Sequence, residues 1–266
     1  MATERGFVLP PKITGDTVAA TSHPLEPLLR TLQRHSRLSS EDRQAILDLP
    51  YTLRTLEAST YTVREGDPPQ RCCVLLSGYA YRQKLTGDGA RQILAIHMPG
   101  DPLDFQNLFL DVSDHSVQML TRGEVADVPR SAFQQLARSR AAVGHAILVT
   151  TLIEASIFRE WVLNVGRRDA RTRLAHLLCE FALRVETQGL AEENGYQLPM
   201  TQEQLADAVG LTSVHVNRTL KALEAEGLIL RSKRTINIPN WERMRLVGDF
   251  SERYLHLEPQ HAGERV

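Results

Sequence analysis

The chain has 266 residues, 42% of them hydrophobic and 24% charged, with a formal net charge of −1. This is ordinary globular composition on a length that suits two domains and a connector. It excludes binding of nucleic acid through bulk charge, so any such surface has to come from local placement of Arg and Lys.

Residues 1–22 are small, polar and proline-containing, lack the apolar stretch of a signal sequence, and are read as a disordered leader. A sensor domain is expected over 23–129. It opens on two short helices, with Leu28 and Leu32 in the first, Ile46 and Leu49 in the second, and Ser39-Ser40-Glu41-Asp42 capping the second. From Tyr51 to Pro129 the pattern turns to short β runs: Tyr61–Val63, Cys73–Leu76, Gln92–Ile96, Ser116–Leu120 and Val125–Val128. Gly- and Pro-rich punctuation separates them, which predicts a small sandwich, barrel or roll. Adjacent strand residues point to opposite faces, so one of Cys72 and Cys73 is expected inside and one outside. A packed core residue and a redox sensor both stay open for them. Tyr79, Tyr81 and His97 either line an effector pocket or pack the β-domain.

Residues 130–164 are expected to form one long helix. Leu148, Leu152, Ala155 and Val162 give it an apolar seam about 3.5 residues apart, suited to its own β-domain or to a second subunit. A DNA-reading element downstream favours the second subunit, hence a dimerisation helix. The DNA-binding domain is expected over 165–250 and a C-terminal tail over 251–266. Its first helix, Ala170 to Glu186, turns Leu174, Leu177, Leu178, Phe181 and Val185 inward. Arg167, Arg168, Arg171 and Arg173 cluster at its start, either as a solvated face or against DNA backbone. Three cysteines without C-x-x-C spacing fit a reducing cytosol. No run of about 18 consecutive apolar residues occurs, so no membrane partner is expected.

The most informative segment is Thr201 to Gly227. Thr201 and Gln204 form a capping box, Leu205 and Val209 face inward, and Gly210 supplies a left-handed turn. Thr212 then caps a second helix whose buried side is Val216, Leu220 and Leu223. Two helices on a tight Gly-containing turn make a helix-turn-helix. Its outward face, Ser213, Val214, Asn217, Arg218 and Lys221 with His215 at the edge, offers hydrogen-bonding groups early and cations later. That order suits a helix entering the major groove. Leu228–Leu230 and Thr235–Ile238 frame a basic tip, Arg231-Ser232-Lys233-Arg234, as a wing. From Leu211 to Ile238 there are five Lys/Arg against two Glu, in a chain that is slightly acidic overall. The expected DNA-contacting set is Thr212, Ser213, Val214, His215, Asn217, Arg218, Lys221, Lys233 and Arg234.

Arg64-Glu65-Gly66-Asp67, Leu75-Leu76-Ser77-Gly78, Pro99-Gly100-Asp101, the long helix and Leu205-Ala206 through Leu228-Ile229 occur in an order that resembles the Crp/Fnr superfamily over nearly the whole chain. The resemblance implies an α+β fold: an N-terminal cyclic-nucleotide-binding-like β-roll, a long dimerisation helix and a C-terminal winged helix-turn-helix. It also implies a homodimer on near-palindromic duplex DNA. Where cyclic-nucleotide-binding relatives carry a Gly-Glu pair for ribose and an Arg-Ser pair for phosphate, this chain has Asp104-Phe105 and His115-Ser116. A cyclic nucleotide is therefore not expected, and the effector pocket, if retained, is placed at Phe105, His115 and Ser116. Residues 1–35 contain no Cys, so no iron–sulfur centre and no other cofactor is expected. In the reading helix Arg218 matches the family's base-reading arginine, while Val214 replaces an acidic residue.

The function expected is a cytoplasmic, homodimeric, sequence-specific transcription regulator that works with RNA polymerase, its β-roll sensing an unidentified signal. The alternative is a ligand-sensing or protein-interaction module whose winged helix binds protein. No P-loop, G-x-S-x-G or metal motif points to an enzyme.

Overall fold

A computed structural model of the chain describes residues 23–192 and 195–257. The expected leader and the last nine residues of the tail lie outside the described residues. The chain forms two compact units, one from residues up to 159 closed by 254–257, the other from 160–253.

In the first unit, α1 (Glu26–Arg34) and α2 (Ser40–Leu47) are the two short helices the sequence predicts. The Ser39 hydroxyl accepts from the Asp42 N–H while the Asp42 carboxylate accepts from the Ser39 N–H, which closes the capping box. Seven strands follow: β1 (Thr52–Leu56), β2 (Tyr61–Val63), β3 (Arg71–Leu75), β4 (Ala80–Leu85), β5 (Arg91–His97), β6 (Ser116–Met119) and β7 (Gly123–Pro129). β1 and β4 escape the sequence reading because β1 is largely exposed and β4 carries Arg82, Gln83 and Lys84. The strands pair antiparallel into two sheets, β1-β7-β3 and β2-β6-β4-β5. Cys73, Leu75 and Val125 of one sheet meet Ala80, Val117 and Met119 of the other in a shared core with Leu103.

Cys72, Val74, Ala126 and Val128 cover the other face of β3 and β7, in a second core with Leu28, Leu32, Ile46 and Phe133 from the helices. The expectation of one exposed cysteine is therefore wrong: Cys72 and Cys73 do point to opposite faces, but both faces are covered, so both are buried. Burial first, then the nearby Asp104 carboxylate, pushes both thiols well above the usual range. That suppresses the thiolate a redox sensor needs. Tyr81 and His97 are buried in the roll as well. Two motifs of the sequence bond to each other: Gly100 N–H donates to Leu75 O at 2.7 Å and Leu75 N–H to Asp101 O at 3.1 Å.

The helix expected over 130–164 is two helices, α3 (Arg130–Ser139) and α4 (Ala141–Arg167). Arg140 breaks the run with an extended backbone (φ −129°, ψ 99°), and its guanidinium bonds Asp42 at 3.1 Å. Gly144 permits the tight corner, since a Cβ there would lie 2.7 Å from Ala137 O. α4 exposes Leu148, Leu152, Val162 and Leu163. With 27 residues and a mean hydropathy of 1.7 over its best window it is long and apolar enough, by length and composition alone, to cross a membrane. Counting consecutive apolar residues missed this.

The second unit holds α5 (Ala170–Thr187), β8 (Tyr196–Gln197), α6 (Gln202–Val209), α7 (Ser213–Ala225), β9 (Leu230–Ser232), β10 (Thr235–Asn237) and α8 (Trp241–Val247). Gly166 lies within α4, and Asp169 is the N-cap of α5, its carboxylate accepting from Thr172 N–H. β8 makes the wing a three-stranded sheet, in the order β8-β10-β9.

Two buried histidines of the roll unit are held neutral. Burial, reinforced by Arg34, lowers His35 to about 4, and burial with Arg82 lowers His115. Their folded affinity for protons is below that of the unfolded chain, so their contribution is complete above pH ~6.5 and is lost as pH falls, by at most ~1.4 kcal/mol per pH unit per group. Asp104, raised by burial to about 6, acts in the opposite sense and offsets one of them. Thermal unfolding of the full chain is expected at lower temperature near pH ~5 than near pH ~7. His35→Gln should flatten that dependence, and an unchanged slope in the variant would count against this assignment.

Candidate nucleic-acid interface

Each boundary of the helix-turn-helix has a local cause. Thr201 Oγ1 accepts from Gln204 N–H at 3.2 Å and Gln204 Oε1 accepts from Thr201 N–H at 2.8 Å, so α6 starts there. Gly210 ends it at φ 65°, a left-handed conformation that costs glycine nothing. Thr212 Oγ1 accepts from His215 N–H at 3.2 Å and starts α7. Past Glu226, Gly227 N–H bonds Glu224 O and Leu228 N–H bonds Leu223 O, both at 2.9 Å, a Schellman closure that turns the chain into the wing.

Between those ends α7 buries Val216, Thr219, Leu220 and Leu223 against its own unit. The Thr219 hydroxyl is satisfied by donating to His215 O at 2.9 Å. Ser213, Val214, Arg218 and Lys221 are left exposed, and His215 and Asn217 half-buried at the edges. Val214 is 78% exposed, unusually high for a β-branched apolar side chain. Thr212 is exposed too, but its oxygen is committed to the helix start. Lys233 and Arg234 are the two turn residues of the β9–β10 hairpin, Lys233 with φ 56°. Arg231 is tied back to α7 through Glu224 at 3.1 Å, so of the basic run only the tip projects.

One element of this surface was not anticipated. The start of α5 borders α7, and Asp169, Ala170 and Arg171 line with His215, Arg218, Thr219 and Ala222 an open hollow of about 450 Å³. Arg171 is paired with Glu226, and Arg168 with Glu160 and Asp249. Arg173 donates to the carbonyls of Arg168 and Val209. Three of the four arginines clustered around the start of α5 thus hold the unit together. No sequence signal marks the hollow, because its two walls are about 45 residues apart in the chain.

Residues 172–247 match the Crp-like helix-turn-helix domain and residues 53–140 the cyclic nucleotide-binding domain. The nitrogen fixation regulation protein FixK of Rhizobium meliloti is 30% identical over 74% of this chain and 87% of its own length. The chain belongs to the Crp/Fnr family of transcription regulators. The transcriptional activator protein FnrL of Cereibacter sphaeroides is 29% identical over 79% of this chain and 85% of its own. Among solved structures, FixK2 of Bradyrhizobium japonicum superposes with a TM-score of 0.70 at 26% identity, covering 76% of this chain and all of that one. As a Crp/Fnr regulator the protein joins a cyclic-nucleotide-binding-type sensing domain to a DNA-binding helix-turn-helix.

The sensing domain of this Crp/Fnr member does not fit the nucleotide that its fold implies. Phe105 is turned out of the roll into the helical core, edge-on to Phe133 at 5.6 Å, which corrects its placement in an effector pocket. The Asp104 carboxylate is buried and accepts from Cys73 N–H at 3.1 Å. His115 is buried and neutral, with Nδ1–H donating to Asp114 at 2.7 Å and Nε2 accepting from Gln106 at 3.0 Å. The Ser116 hydroxyl accepts from Glu65 N–H at 3.0 Å. None of these side chains presents a free donor pair to a phosphate or an acceptor to a ribose.

The N-cap assignment is testable without DNA. Thr212→Ala is expected to lower the unfolding free energy by ~1 kcal/mol in urea titration, and Thr212→Ser to restore most of it. Equal losses in both variants would show that the hydroxyl is not the cap.

Proposed function

We propose that the protein is a cytoplasmic homodimer that binds near-palindromic duplex operators through α7, contacts phosphate through Lys233 and Arg234, and acts on transcription together with RNA polymerase. The observation that supports this best is the outward stripe of α7, which carries no carboxylate from Ser213 to Lys221. The exposed apolar side chains of α4 support the dimer, because a second copy of the same helix covers them in the geometry of a two-stranded seam. The paired half-sites would lie about one DNA turn apart. The basic tip of the wing argues against a protein-binding surface.

Chemistry assigns roles along α7. Arg218 is the guanine reader, its fork matching two acceptors on one base edge, and Asn217 suits adenine. Ser213 and His215 support them from the first turn, and Lys221 and Thr212 lie within reach of backbone phosphate. Val214 has one possible partner in a major groove, the thymine C5 methyl. With no acidic residue beside it, α7 lacks the carboxylate that pairs most directly with the cytosine amino group.

Selection from random duplexes is expected to enrich a two-fold symmetric site, and Arg218→Ala to weaken it by ~1–3 kcal/mol while relaxing preference at one guanine. Lys233→Ala should weaken all duplexes alike and lower the salt slope by about one. Replacing the relevant thymine with deoxyuridine should weaken the wild type and leave Val214→Ala indifferent. No enriched site and no effect of Arg218→Ala would refute the reading.

A further inference from the structure

Arg82 is the one charged side chain of the β4 strand that points into the roll, and it is 3% exposed. Its Nη1 lies 2.6 Å from Glu154 Oε1, on α4. Its Nη2 donates to Leu103 O at 2.9 Å and reaches Gln106 Oε1 at 3.5 Å, and the guanidinium carbon sits 5.5 Å from the Phe158 ring centre. Gln106 in turn donates to His115. The residues flanking Asp104-Phe105, Leu103 and Gln106, thus both bond this guanidinium, and Gln106 joins it to His115, at the second position where the resemblance implies a ligand contact.

We propose that the interior of the roll is an anion site occupied by the chain itself: Glu154 is the resident anion of Arg82, locks α4 to the roll, and makes a cyclic nucleotide unnecessary for operator binding. A buried guanidinium left unpaired is strongly destabilising, so something anionic has to sit beside it. His115 is neutral and supplies no second positive charge; Glu154 is the carboxylate in direct contact with Arg82, while the buried Asp104, bonded to the Cys73 amide, feels the same guanidinium at longer range. A cyclic nucleotide carries one negative charge and would have to displace Glu154. Glu154 is tethered, and tethering gives it an effective concentration in the millimolar range or above, against which a free nucleotide at micromolar concentration competes poorly. Phe158, one turn further along α4, screens the pair from water and adds cation–π attraction. The fold of a cyclic-nucleotide-binding domain is kept, and its ligand is replaced by a side chain from α4.

The test uses the full-length chain. Isothermal titration of the wild type with cyclic AMP and with cyclic GMP at millimolar concentration is expected to show no binding, and neither should change operator affinity. Glu154→Ala should lower the thermal midpoint and weaken operator binding by about tenfold or more. Sodium acetate, against matched sodium chloride, should restore much of both, because a free carboxylate can then enter beside Arg82. If Glu154→Ala does not fold, Glu154→Gln, which keeps the volume and removes the charge, is expected to weaken operator binding in the same direction. Micromolar binding of either nucleotide by the wild type would overturn the proposal. So would an alanine variant that equals wild type, or one whose defect acetate does not repair more than chloride does. The operator readout rests on the DNA-binding reading. If the wild type binds no duplex, that reading falls, while nucleotide titration and acetate rescue of the thermal midpoint still decide this one.

Discussion

The constraint on which the function depends is that α7 can bury only one side. Val216, Thr219, Leu220 and Leu223 recur at steps of three and four, and packing that stripe fixes the rotation of the helix about its axis. Once it is fixed, Ser213, Val214, Arg218 and Lys221 have to face water or a partner. Rotating the helix by one residue would bring Asn217 and Arg218 toward the core and expose leucines. The caps at Thr212 and Gly227 set where the stripe starts and stops, so the same few residues determine both the stability of the helix and its contact surface.

A second constraint operates in the roll. β3 and β7 are covered on both faces, by the opposite sheet and by the helices, so their polar groups need partners indoors. Asp127 answers Arg54 at 2.5 Å, Arg71 at 3.0 Å and the Cys73 thiol at 2.8 Å. Asp104 answers the Cys73 amide, and Arg82 answers Glu154. The domain that matches a cyclic nucleotide-binding fold here pairs its buried Asp127, Asp104 and Arg82 with groups of its own chain. Burial raises the two thiols and keeps His115 neutral, and the same enclosed interior leaves Asp104 and His115 bonded to neighbours in the chain rather than open to a nucleotide.

Most elements were legible because local causes set them. The capping boxes at Ser39 and Thr201, the left-handed Gly210 and the 3.6-residue stripes of α5 and α7 are short-range facts, and they appear where the residues predict. β1 and β4 were not legible, since a strand with alternating or charged residues looks like a loop until its neighbours pair with it. The break at Arg140 was not legible either: no proline marks it, and its causes are a contact with Asp42 and the close approach of Gly144 to Ala137. Cys72 and Cys73 were assigned correctly to opposite faces, but a single strand cannot say that both faces will be covered.

By itself the sequence determined the helices of the helix-turn-helix, most of the strands before them and the composition of the outward stripe of α7. Spacing and caps act within a few residues, and α7 carries its own instructions. Only the tertiary structure decided what fills the roll. Phe105 could face in or out, His115 could be charged or neutral, and Arg82 and Glu154 stand 72 positions apart with nothing in the pattern to join them. Their pairing is a consequence of burial, because a guanidinium removed from water has to find the nearest carboxylate the fold brings to it.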